Sequence, residues 1–196
     1  MRQICKYAVF VSVLLAAVSC GKDKVEYDMT DAGRAAMDRL VGVYEIAGAE
    51  WDGVPVDLDG DGAASPIYDE LVKVSAMENA EIEISMTAPY NTRTDIILPM
   101  EEIRYGDVSW REYGVPAAFK VTSGGEYELG IDENVGFISD ETWNRAYFYK
   151  MKVTVAGDDE IDIKGYTFLY DARSREIVNG WLTYRFKCIS GKGRTR

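Results

Sequence analysis

From residue 30 onward the chain is dominated by alternation of apolar and polar positions with a period of two, the spacing of a half-buried strand. In 81–87, Ile82, Ile84 and Met86 alternate with Glu81, Glu83 and Ser85; in 126–131, Tyr127, Leu129 and Ile131 alternate with Glu126 and Glu128. Tyr147, Tyr149, Met151, Val153 and Val155 share one face, Tyr166, Phe168 and Tyr170 another, and Leu182, Tyr184, Phe186 and Cys188 a third. Turn residues separate these runs at Gly124-Gly125, Gly157-Asp158-Asp159 and Asp171 to Arg175. The pattern predicts eight strands, over 41–50, 80–88, 94–104, 116–123, 126–131, 145–156, 160–170 and 176–189. A short helix precedes them, capped by Thr30 and ending at Leu40, with Ala32, Ala36, Met37 and Leu40 on one stripe. Gly33 lowers its helix propensity.

The connections are mostly short, which favours antiparallel neighbours. The expected class is therefore all-β: an eight-stranded antiparallel meander barrel with a short N-terminal helix, closed so that no edge is exposed. A two-sheet sandwich is the alternative. Pro99, inside a strand run, marks an edge or a bulge.

The first residues follow another pattern. Arg2 and Lys6 precede an apolar run from Tyr7 to Val18, too short for the about 20 residues of a spanning helix. The run ends in Ala17-Val18-Ser19-Cys20, which resembles the lipobox read by lipoprotein signal peptidase. The resemblance implies a leader over 1–19, a lipidated Cys20 and a tether over 20–29, with the barrel domain in 30–196. Gly21 after the cysteine resembles an outer-membrane address, and the acidic tether resembles surface-export signals of some Gram-negative lipoproteins. The expected location is the outer membrane, lipid-anchored, with the cell surface as an extension.

Composition narrows the chemistry. The formal net charge is −11, and it becomes more negative once Arg2 and Lys6 leave with the leader. Such a body repels phosphate backbones, so nucleic acid is not an expected partner. Histidine is absent, which removes Ser-His-Asp and Cys-His catalysis and His-ligated metal. Cys188 is the one cysteine beyond Cys20, and its alternation with Phe186 reads as a core thiol. Glu101 and Glu102 are adjacent and so point to opposite faces of a strand, not to one acid/base pair. No catalytic constellation is legible, and the expectation is a binding or scaffold protein, not an enzyme.

Leu40-Val41-Gly42-Val43-Tyr44 after a helix resembles the opening of lipocalins, with Tyr44 in place of their tryptophan. Arg185 is the candidate for the basic residue that stacks on that ring in the family. The stretch from Trp51 to Gly62 resembles that of lipocalin-like surface lipoproteins of Gram-negative gut bacteria. The resemblance covers both ends of the mature chain better than the middle. It implies a fold and an address but little activity; a small apolar ligand or a glycan would be the partner.

The sharpest chemical signal is Asp57-Leu-Asp59-Gly-Asp61-Gly62, which matches the first half of an EF-hand calcium loop. Calcium takes several oxygens at about 2.3–2.6 Å, and three carboxylates this close would otherwise repel. Position twelve is Tyr68, where that pattern has a glutamate. Ser65-Pro66 can start a helix that swings Asp69 or Glu70 back, and the Ala63 carbonyl is a further candidate ligand. The bland alternative is a solvated acidic turn. Trp51, Trp110 and Trp143 sit in loop-like contexts and are candidate ligand-binding rings for sugar faces, against the alternative that each caps a barrel end.

Overall fold

The computed structural model describes residues 30–74, 76–88, 91–104, 107–123, 127–131, 137–140, 144–156 and 159–191. Cys20, its tether and Trp143 lie outside the described residues.

Helix α1 (Asp31–Leu40) starts where Thr30 Oγ1 accepts the Gly33 amide at 3.3 Å. Its buried residues are Gly33, Met37 and Leu40, while Ala32 is exposed. The packed stripe thus keeps Met37 and Leu40 but runs through Gly33 instead of Ala32, with Ala36 half-buried.

Among the described residues ten strands follow: β1 (Gly42–Trp51), β2 (Glu81–Ala88), β3 (Asn91–Arg104), β4 (Asp107–Val121), β5 (Tyr127–Ile131), β6 (Phe137–Asp140), β7 (Asn144–Tyr147), β8 (Tyr149–Ala156), β9 (Glu160–Asp171) and β10 (Glu176–Gly191). Helix α2 (Ile67–Lys73) lies between β1 and β2. Eight strands form one sheet in the order β5-β4-β3-β2-β1-β10-β9-β8, with β6 and β7 as a separate hairpin. Every pairing is antiparallel. The order is that of a meander in which the first strand pairs with the last. The sheet curls into a half-barrel, and the break in the ring of pairings lies between β5 and β8. Among the described residues the main architecture is this eight-stranded curled sheet and not a pair of packed sheets.

The β1–β10 seam explains Gly42. A Cβ there would lie 2.5 Å from the Ser190 carbonyl oxygen, so no side chain fits. Tyr44 points inward, fully buried, and its hydroxyl donates to the Leu40 carbonyl at 2.9 Å, which ties α1 to the end of the barrel. Arg185 does not stack on it. Tyr44 pairs with Cys188, on the core face with Tyr184 and Phe186, whereas Arg185 lies on the opposite face of β10. There it bridges Glu50 at 3.1 Å, Glu160 at 3.1 Å and Asp162 at 3.4 Å. Strand alternation alone decides this: an odd offset from Cys188 puts the guanidinium outside.

The core face of β9 carries Ile161, Ile163, Gly165, Thr167, Leu169 and Asp171, so Tyr166, Phe168 and Tyr170 share a face as expected, but the outer one. Tyr166 packs edge-on against Phe168 and Trp181 at 6.1 and 5.6 Å. Strand β8 follows the expected pattern with Met151, Val153 and Val155 against the core. Before it, Phe148 is buried and stacks on Tyr184 at 5.8 Å, because Lys150 at φ 53° and a register shift change the face.

The long β3–β4 hairpin is the largest departure. Strand β2 pairs with β3 only as far as Ile82–Ile96, so from Ile97 on β3 has β4 as its ladder partner. Pro99 sits in this one-sided stretch, and its carbonyl accepts from the Tyr184 hydroxyl at 2.8 Å. Glu101 Oε2 accepts the Tyr170 amide at 2.7 Å. The hairpin is therefore tied to β10 and β9. Ile82, Ile96, Leu98, Phe119, Ile161, Leu182, Tyr184 and Phe186 pack together as one buried cluster.

Candidate metal centre

The loop from Asp52 to Pro66 joins β1 to α2. Asp57 anchors it and is 0 % exposed. Its Oδ1 accepts the Gly60 amide at 2.7 Å and its Oδ2 the Gly62 amide at 2.8 Å. Asp59 Oδ1 accepts the Asp61 amide at 3.0 Å, and Asp61 Oδ1 accepts the Ala63 amide at 2.8 Å. Each aspartate thus bends the chain around its own carboxylate, as short acidic side chains do in turns. Gly60 and Gly62 have φ of +77° and +90°, which L side chains adopt only with strain.

Oxygens of Asp57, Asp59 and Asp61 lie within 4.8 Å of one another, a set that can hold a metal ion. Helix α2 decides between the two other acidic candidates. Glu70 is 0 % exposed and turns back to the loop, where Oε2 accepts the Leu58 amide and Oε1 the Ser65 amide, both at 2.9 Å. Asp69, about 100° around the helix from it, is exposed. Ala63 is adjacent to the cluster through its amide.

Two contributors have no local signature in the loop itself. Asp171, buried at the end of β9, accepts the Asp57 amide on Oδ1 at 2.8 Å and the Ser174 amide on Oδ2 at 3.1 Å. The Ala172 amide donates to the Asp57 carbonyl at 2.8 Å, so the loop is docked on the β9–β10 turn. Lys73, three residues after Glu70, places Nζ 2.8 Å from Asp61 Oδ2 and 3.2 Å from Asp59 Oδ2. A Glu and a Lys at i,i+3 on one helix face are legible in sequence; the link from 57 to 171 is not.

The electrostatics follow these contacts. The Asp61 amide holds the Asp59 carboxyl below its usual range, and the Lys73 ammonium does the same for Asp61. Burial pushes Glu70 up, but the Leu58 and Ser65 amides more than offset it and the net shift is downward. Burial likewise opposes, and the Ser174 and Asp57 hydrogen bonds outweigh, in Asp171. The Lys73 pKa is raised, chiefly by its hydrogen bond to Asp61. The Asp59, Asp61, Glu70 and Asp171 carboxylates are ionised at neutral pH, as hard-cation ligands must be, whereas the charged Lys73 ammonium competes for the Asp59 and Asp61 oxygens.

Beside the loop lies an open cleft of about 440 Å³, with Trp51, Pro55, Val56, Ser65, Pro66 and Ile67 in its wall. Trp51 Nε1 donates to the Val54 carbonyl at 2.8 Å, and its ring lies over Gly53 and Gly180. Trp110 belongs to a different cleft, with Ala76, Arg111 and Glu112. Both rings also pack against the core, and the two are not brought to one platform. Glu101 and Glu102 are both buried but have separate partners: the Tyr170 amide for Glu101, the Tyr113 hydroxyl at 3.1 Å and Arg111 Nε at 2.6 Å for Glu102. Burial pushes the Glu101 carboxyl up to about 8.

Among known proteins, no family model, curated protein or solved structure matches the chain.

Proposed function

We propose that the chain is a lipoprotein anchored to the outer membrane through Cys20, whose half-barrel is a lipocalin-like binding or scaffold domain with a structural calcium ion in the Asp57–Gly62 loop. The observation that carries the calcium reading is the convergence of Asp57, Asp59 and Asp61 oxygens within 4.8 Å on a loop whose glycines sit at positive φ. Hard oxygen donors favour calcium over softer metals, and calcium's tolerance of irregular coordination suits this loop better than magnesium, which demands stricter octahedral geometry. The lipocalin reading is supported by the meander order, the first strand on the last, and the helix at the Tyr44 end. The outward Arg185 is a departure from that family. A binding role without catalysis accords with the absence of histidine.

Calorimetric titration with calcium tests the loop: one site per chain is expected in the wild type and none in Asp57→Ala. Labelling cells with radioactive palmitate tests the anchor, with label expected on the wild type and lost in Cys20→Ala.

A second reading, surface glycan binding, is favoured by one observation: Trp51 lines a cleft with an exposed carboxylate, Glu50, at its rim. Quenching or enhancement of tryptophan fluorescence by oligosaccharides, lost in Trp51→Ala, is its test.

A further inference from the structure

The Trp110 cleft carries anchored polar groups with unused hydrogen-bonding capacity. It is open, about 310 Å³ in volume, and walled by Ala76, Trp110, Arg111 and Glu112. That is near the lower end of the range for small-ligand sites, about 300–1,000 Å³. Ala76 follows α2, and the other three residues lie on β4 before the point at Ala117 where β5 joins it. Neighbouring side chains of a strand point to opposite faces, and a cleft at a strand edge can reach both.

Arg111 is fixed from behind. Its Nε lies 2.6 Å from Oε2 of Glu102, a fully buried carboxylate whose Oε1 accepts from the Tyr113 hydroxyl at 3.1 Å. The Arg111 side chain is 54 % exposed, and among the described residues Glu102 is its one partner. The amino end of the guanidinium fork is therefore unpaired. Glu112 is held as well: its Oε1 accepts from Asn79 Nδ2 at 2.8 Å, which leaves Oε2 as a spare acceptor. A donor fork and an acceptor thus stand beside an indole ring, and both are positioned before any ligand arrives.

We infer that this cleft is a binding site for a neutral sugar: Arg111 donates to ring hydroxyls, Glu112 accepts from them, and the C–H face of the ring lies on Trp110. The inference shares the glycan reading with the Trp51 cleft but names a different site. Each hydroxyl is both donor and acceptor, so a sugar can satisfy Arg111 and Glu112 together. An apolar ligand would strip both of water and return nothing. An anion would match Arg111 but meet Glu112 and a chain of net charge −11. A cation would meet the guanidinium. An added peptide strand would have to break the Asn79–Glu112 bond, which ties the loop before β2 to this edge.

The test titrates the full chain by calorimetry with cellotetraose, maltotetraose and mannotetraose, and with trigalacturonate as the acidic comparison. The wild type is expected to bind at least one neutral tetrasaccharide. Arg111→Lys keeps a positive charge against Glu102 but loses the fork, and Glu112→Gln replaces the spare acceptor on an exposed side chain. Each should weaken that binding about tenfold, and Trp110→Ala should abolish it. Because Trp110 also packs against the core, the two polar variants decide if Trp110→Ala does not fold. Undiminished binding in these variants overturns the inference; if binding is then lost in Trp51→Ala, the sugar belongs to the other cleft and that reading stands. Tighter binding of trigalacturonate than of any neutral sugar overturns the ligand class. Absence of binding to all four probes overturns this site and the Trp51 reading together.

Discussion

Asp171 accepts the backbone amide of Asp57 at 2.8 Å across 114 residues of sequence, and together with the Ala172 amide on the Asp57 carbonyl this contact docks the acidic loop on the β9–β10 turn. Both residues are buried, so neither partner can exchange the bond for water. Asp171→Ala leaves the Asp57 and Ser174 amides without acceptors. The expected cost is about 1–3 kcal/mol in urea unfolding, with weaker calcium affinity as the loop loses its seat. Unchanged stability in that variant would show that the docking is incidental.

Gly62 has a φ of +90°, and a Cβ there meets no atom within 4 Å. The prediction for Gly62→Ala is thus purely one of backbone strain, about 1–3 kcal/mol lost with no steric clash to relieve. Thermal melts of the two chains under identical calcium measure it.

The pH profile should have two limbs. The Glu70 and Asp171 carboxyls are held below their ordinary values of 4.5 and 3.8, so they contribute stability that is present above those values and is lost as pH falls through the folded-state pKa of each. Glu101 works in the other direction. Burial raises it to about 8, so the folded state holds the proton more tightly than the unfolded chain does. Its contribution is present in full below its ordinary value of 4.5 and is lost as pH rises through about 8. Glu101→Gln should match the wild type near pH 5 and exceed it in melting temperature above pH 8, where the buried charge is gone. A constant difference across that range would show that Glu101 does not titrate there.

The outward position of Arg185 makes a negative prediction. Its partners Glu50, Glu160 and Asp162 lie on the exposed face, so Arg185→Ala should change stability by at most about 1 kcal/mol. Packing of this guanidinium on Tyr44 would instead give the larger loss of a buried contact.

Much of the sheet was legible because alternation reports directly on which strands are half-buried. Ile82 and Ile84, and Leu182, Tyr184 and Phe186, show this. The first half of β4 was not, because Asp107, Ser109, Arg111, Glu112 and Gly114 are exposed and carry no apolar rhythm; pairing with β3 alone makes them a strand. In β9 the shared face of Tyr166, Phe168 and Tyr170 was legible but its side was not, because Ile161 and Ile163 alternate as cleanly and only tertiary packing chooses. The acid triplet was visible through its spacing. Glu70 was visible as one of two options that helix geometry then separates. Asp171 carried no signal, since a contact across 114 residues leaves no local trace.

The central claim is that Asp57, Asp59 and Asp61 hold a calcium ion that supports the fold. It is tested most directly by the melting midpoint in about 10 mM calcium against chelator, for wild type and Asp59→Ala. With a dissociation constant on the order of 10⁻³ M, the wild type should gain about 1.4 kcal/mol, or roughly 3–6 °C, and Asp59→Ala should gain nothing. A wild-type midpoint indifferent to calcium, or a gain that survives Asp59→Ala, would contradict the account.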